Sequence, residues 1–125
     1  GFAFKQDTGD TRDSPAIPLC EKLLGEHAKV RVHDPKALEN ARIDLKEMQG
    51  DVKLFEDVYE AAEGAHSLAL VTQWTEYREL DFERIFNKMV KPAFIFDGRN
   101  HLDHKKLFEI GFNIFPLGKP PLKHV

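Results

Sequence analysis

Ser67-Leu68-Ala69-Leu70-Val71 is the most apolar run of the chain, and a continuous run of this length reads as a central strand buried on both faces. Downstream, Ala93-Phe94-Ile95-Phe96 repeats the signal and is broken by Asp97-Gly98. Between the two, Asp81 to Met89 places Phe82, Ile85, Phe86 and Met89 on one helical face, with Asp81 as cap. Asp103 to Ile110 reads as a further helix ended by Gly111, before a last strand at Phe112 to Leu117. Short apolar strands alternating with amphipathic helices predict an α/β architecture: a three-layer, Rossmann-like open sheet, mostly parallel, with helices on both faces.

The upstream half continues the alternation. Asp57 to Ala62 is a short helix capped by Asp57 and ended near Gly64, and Val52 to Phe55 is a short strand. Residues 36–50 read as a short helix or an irregular crossover around Leu38, Ala41 and Leu45. Lys29 to His33 alternates Val30 and Val32 with polar residues and stops at the turn Asp34-Pro35. Ser14-Pro15 starts a helix whose apolar face is Ile17, Cys20, Leu23 and Leu24, closed by Gly25. Gly1-Phe2-Ala3-Phe4 reads as the tail of a strand. It begins at the first residue, so the chain is expected to be a piece cut from a longer protein. The domain is expected to span residues 1–119, with 120–125 as a frayed tail.

Composition narrows the function classes. The 125 residues carry 18 Lys and Arg against 21 Asp and Glu, a net charge of −3, which is not a surface built to coat nucleic-acid phosphates. No apolar run approaches the ~18–20 residues of a membrane span, and the cytoplasm is the expected compartment. A single cysteine, Cys20, excludes an intrachain disulfide framework and a cysteine-based zinc finger. His101 and His104 are the one close histidine pair, with no partner at an obvious ligand spacing, so no metal site is expected.

In an open parallel sheet, ligands bind outside the carboxyl ends of the strands. The residues there are Lys5 and Arg12 after the first strand, Asp34 after the second, Thr72-Gln73-Trp74 after Ser67–Val71, and Asp97-Gly98-Arg99 after Ala93–Phe96. Lys5, Arg12 and Arg99 form a local anion site suited to a diphosphate or, on the plainer reading, are solvated charges. Arg99 follows a glycine that lets backbone approach a ligand. Trp74 and Tyr77 offer either a base-stacking surface or packing over the sheet edge. A dinucleotide fingerprint is absent, because Phe stands where a G-x-G-x-x-G turn needs glycine. Asp34 is better placed to initiate a turn with Pro35 than to bind a ribose.

Gly1 to Arg12 (GFAFKQDTGDTR), Asp34-Pro35, Gly64-Ala65-His66, Gln73-Trp74 and Lys91 to Arg99 (KPAFIFDGR) together resemble the C-terminal UDP-binding domain of the UDP-glucose 6-dehydrogenases. The resemblance runs in order from Gly1 to about Lys119. The GDP-mannose and UDP-N-acetylmannosamine dehydrogenases share the architecture, but Gly9-Asp10-Thr11-Arg12 and Asp97-Gly98-Arg99 look more like the UDP-glucose branch. The resemblance implies an enzyme of three parts that oxidises UDP-glucose to UDP-glucuronate with two NAD and one water. It implies that Phe4, Lys5 and Arg99 contact the UDP-sugar, and that Arg12 reaches toward NAD held mainly by an N-terminal domain. The catalytic cysteine motif belongs to the other parts, and Cys20 does not match it, so this chain holds no catalytic residue and is not expected to turn over alone. The full-length form is expected to be a homo-oligomer. The competing readings are a stand-alone nucleotide-binding or regulatory module and a structural domain serving only interdomain packing.

Overall fold

The computed structural model describes every residue, Gly1–Val125, and the chain divides into two compact units, Gly1–Ala61 and Ala62–Val125. The expected α/β Rossmann-like class holds, with parallel strands joined by helices. The strands fall into two sheets, one of two strands and one of three.

The first unit runs α1 (Ala16–Gly25), β1 (Lys29–His33), α2 (Leu38–Leu45) and β2 (Asp51–Phe55), and α3 (Val58–Ala62) begins at its end. β1 and β2 pair in parallel with Lys29 opposite Asp51 and His33 opposite Phe55. Val30 and Val32 are buried while Lys29 and Arg31 are exposed, the alternation of a strand with one covered face. In α1 the buried positions are Ala16, Cys20 and Leu24, one residue per turn, whereas Leu23 lies exposed beside that row. Gly25 does not close the helix as expected. His27 takes the left-handed conformation (φ 65°), its N–H donating to the Leu24 carbonyl and that of Ala28 to the Leu23 carbonyl. This is the double bond pattern that usually falls to a glycine.

Gly1–Phe4, expected as the tail of a strand, is not one. The N–H groups of Phe2 and Ala3 both point at one oxygen of Asp34. In an extended strand successive N–H groups face opposite sides, so two neighbours can share an acceptor only where the backbone bends into a small concave nest.

The second unit carries β3 (Ser67–Leu70), a 3₁₀ turn (Thr75–Glu79), α4 (Phe82–Lys88), β4 (Phe94–Asp97), α5 (His104–Ile110) and β5 (Asn113–Pro116). The sheet order is β3-β4-β5, all parallel. Asp81 caps α4 as expected, accepting from the Arg84 N–H, and Asp103 caps α5 in the same way, accepting from the Lys106 N–H. Leu70, Ile85, Met89, Ile95, Leu107, Phe112 and Ile114 are buried as the core.

Two expectations fail here. β3 is an edge strand of its sheet and not a central one, with Ser67 and Ala69 exposed and Leu70 buried. β4 takes the middle place, but Phe96 is 45% exposed and stacks on Phe115 at 5.0 Å between ring centroids. An apolar run records composition and not facing, and alternate residues of both strands lie on the less covered side. The tail expected to fray is tied at two points. Leu122 bridges Ile114, and His124 donates its N–H to the Asn113 side chain while its ring stacks on Phe108.

Gly111 has φ 133°, and a Cβ added there would lie 2.5 Å from the Phe86 ring, which packs edge-on against Phe112. Gly111→Ala would combine backbone strain with overpacking. It should lower stability by about 2 kcal/mol in urea unfolding, and an unchanged midpoint would contradict this packing.

Candidate functional site at the strand ends

Each unit ends one strand in a buried aspartate. Asp34 follows β1 and Asp97 closes β4; their exposures are 2% and 0%. A buried carboxylate is costly unless its lone pairs are filled, and both are filled in the same way. Asp34 Oδ2 accepts from the Phe2 and Ala3 N–H groups at 2.8 Å each, and Oδ1 accepts from Lys36 and Ala37 at 2.9 and 2.8 Å. Asp97 Oδ2 accepts from His101 and Leu102 N–H at 2.9 Å and meets His104 Nε2 at 2.7 Å. Its Oδ1 accepts from Arg99 N–H at 3.1 Å.

Burial pushes both carboxyls up, but the donors outweigh it and hold each below its ordinary value. For Asp34 these are the N–H groups of Ala3, Lys36, Phe2 and Ala37. For Asp97 they are Leu102 N–H, the His104 ring, and the N–H groups of Arg99 and His101. Hydrogen bonds to the charged form win over desolvation in both.

Phe4, Lys5 and Arg12 share the loop that leaves the Asp34 nest. The loop is closed by Phe4 N–H to the Asp10 carbonyl at 2.7 Å and tied to α2 through Thr11 Oγ1 to Asp44 and Asn40 Nδ2 to the Gly9 carbonyl. Phe4 is 45% exposed, and Lys5 is exposed. The Arg12 side chain is 88% exposed. Its Nε and Nη2 grip both oxygens of Asp10, whose carboxyl is pulled down to about 2, chiefly by these side-chain bonds. Ser14 Oγ donates to the Phe2 carbonyl and accepts from Ala16 N–H, joining the same segment to the start of α1.

Arg99 belongs to the second unit. Its Nε donates to the Val71 carbonyl at 2.8 Å, so the guanidinium is oriented by the end of β3. The expected role of Gly98 changes: the close approach is to the protein itself. Gly98 N–H donates to the Leu70 carbonyl at 3.0 Å, and a Cβ would sit 3.1 Å from that oxygen. His101 Nε2 reaches the Trp74 carbonyl at 2.8 Å, tying the loop after β3 to the same turn. Trp74 and Tyr77 are both buried, so they pack and offer no stacking surface. Cys20 is buried and unpaired, with its thiol pushed up by burial, as expected of a small core residue. No group of three or more His, Cys, Asp and Glu is placed to hold a metal.

The sequence places Asp97 at a strand break on the rim beside Arg99 and His104 in a histidine pair, but does not show that the two are bonded to each other. The signal available was an aspartate at a strand end followed by glycine, with a histidine on the first turn of the next helix.

Residues 1–104 match the family model described as UDP-glucose/GDP-mannose dehydrogenase family, UDP binding domain. The chain is 45% identical over 138 residues to UDP-glucose 6-dehydrogenase 5 of Oryza sativa subsp. japonica, covering 96% of this chain and 29% of the relative. It is 45% identical over 139 residues to UDP-glucose 6-dehydrogenase 1 of Arabidopsis thaliana, with the same coverage. Among solved structures, a UDP-glucose dehydrogenase from Pyrobaculum islandicum matches with a TM-score of 0.69 at 30% identity, covering 90% of this chain and 24% of that one. The chain thus spans less than a third of the length of these relatives.

Both strand-end carboxylates should carry stability. Asp34→Asn leaves backbone donors of the nest without a charged acceptor and should cost about 3 kcal/mol in chemical unfolding at neutral pH. Because the folded carboxyls are held below their ordinary value, this stability is present above about pH 4 and lost as pH falls further. The Asn variant should show a shallower acid loss than the parent, and an equal slope would contradict the assignment.

Proposed function

The chain belongs to the UDP-glucose/GDP-mannose dehydrogenase family as its UDP-binding domain, and from that premise we propose that it holds the UDP-sugar for an enzyme oxidising UDP-glucose to UDP-glucuronate. The observation that carries this reading is Arg99, a guanidinium fixed by its backbone on Asp97 and by Nε on Val71. An oriented guanidinium suits a diphosphate, whose oxygens it can grip through paired N–H groups. Phe4 and Lys5 of the first unit are proposed as the other UDP-sugar contacts, with the binding domain extending to about Lys119. Binding energy gathered on the remote UDP part then positions the sugar for oxidation, which serves rate as well as affinity.

The family implies NAD as the oxidant of the full enzyme, and the residues of this chain do not fit a dinucleotide site of their own. The N–H groups of Phe2 and Ala3, where a glycine-rich turn would meet a pyrophosphate, are taken by Asp34. NAD is therefore assigned to the rest of the enzyme, with Arg12 as this domain's contact to it, since Arg12 is exposed and its Nη1 makes no hydrogen bond to the protein. The proposed partners are UDP-glucose and the remainder of the enzyme, in a homo-oligomer. No helix is long and apolar enough to cross a membrane, and with one unpaired cysteine the proposed compartment is the reducing cytoplasm.

In the full-length enzyme, Arg99→Ala should weaken UDP binding by about 2 kcal/mol, roughly thirtyfold in Kd by calorimetry. Unchanged affinity would overturn the site. Arg12→Ala should raise KM for NAD while leaving KM for UDP-glucose near its parent value. A change confined to the UDP-glucose constant would show that Arg12 serves the sugar instead.

A further inference from the structure

We propose that His104 is a positioning residue for the substrate site, aiming Arg99 by locking the Asp97 carboxylate from α5. The inference rests on the reading that Arg99 binds the diphosphate, and it concerns a residue outside that contact.

Of the groups that fill Asp97, the N–H donors of Arg99, His101 and Leu102 all come from the loop that Asp97 itself organises. They fold the loop onto the carboxylate but do not fix the carboxylate to anything else. His104 does. It is the first residue of α5, its side chain is 15% exposed, and Nε2 lies 2.7 Å from Asp97 Oδ2. A carboxylate only accepts, so Nε2 carries the proton and donates. The bond is charge-assisted and short. α5 is held in turn by the Asp103 cap and by Leu107 in the core.

Two frames act on the direction of Arg99. Val71 at the end of β3 takes Nε, and α5 holds the carboxylate on which the Arg99 backbone hangs. Removing the imidazole leaves Arg99 present and its Val71 bond intact but takes away the bond from α5, so that Asp97 is held only by the N–H groups of its own loop and the turn carrying Arg99 loosens. The guanidinium then samples more directions, and ordering it becomes part of the cost of binding.

The test uses full-length enzyme and UDP as the titrant, with Kd measured well below the melting temperature of every variant. His104→Ala should raise Kd roughly fivefold, less than Arg99→Ala, because the contact is misaimed and not deleted. His104→Gln, whose side-chain amide can donate to the same oxygen, should bring Kd back to within about twofold of the parent. His124→Ala is the structural control. That histidine stacks on Phe108 in the same unit, so its loss should lower Tm without moving Kd. A parent-like Kd in His104→Ala, alongside a weakened Arg99→Ala, overturns the positioning role and leaves the substrate reading standing. Failure of His104→Gln to recover affinity overturns it also. A parent-like Kd in Arg99→Ala removes the reading and this inference together.

Discussion

A buried aspartate at the end of a β-strand, saturated by backbone N–H donors, is the constraint on which each unit depends. Asp34 and Asp97 face the same physical problem, a charge removed from water. They solve it alike: one oxygen fills a nest made by two consecutive N–H groups, and the other accepts from the turn just beyond the aspartate. Asp34 thereby ties a segment 31–32 residues away to the end of β1, while Asp97 winds the following loop onto the end of β4. Oriented peptide dipoles stabilise the charge of Asp34.

This arrangement decides how a ligand phosphate can be recognised. In a dinucleotide fold the N–H groups after the first strand face the pyrophosphate, and glycines keep them accessible. Here the corresponding groups already hold an anion belonging to the protein. On the proposed reading, recognition of a substrate diphosphate would pass to side chains, on loops bonded to the same carboxylates. Gly98 fits this division, since its missing Cβ serves the close approach of the turn to β3. The basic residues Lys5, Arg12 and Arg99 are carried on loops organised by acids.

Much of this was legible wherever the determining contact is local. The cap at Asp81 lies three residues from the N–H group it accepts, and Asp57 likewise accepts from Tyr59 two residues on. The α/β alternation and all five strands also follow from short-range pattern, although the expected boundaries differ by a residue or two from the observed ones. What escaped depends on distant partners. Gly1–Phe4 has a strand's composition, but its N–H groups bend toward Asp34. Leu68 to Leu70 has a core strand's composition, but its place at the sheet edge is a matter of topology. The closure of α1 at His27 in place of Gly25 shows a third limit, because a conformation that favours glycine can fall to another residue when the surrounding bonds demand it. Of the proposed site residues, Arg99 is legible through its motif, whereas Asp97 and His104 acquire meaning only through a bond spanning seven residues.

The most direct test is the titration of the two carboxyl groups themselves, followed by carboxyl-carbon NMR of Asp34 and Asp97 in the folded protein. Stabilisation by N–H donors predicts that both titrate below the ordinary aspartate value of about 3.9. A value at or above it for either residue would mean that desolvation prevails, and that the strand-end carboxylates do not organise the loops.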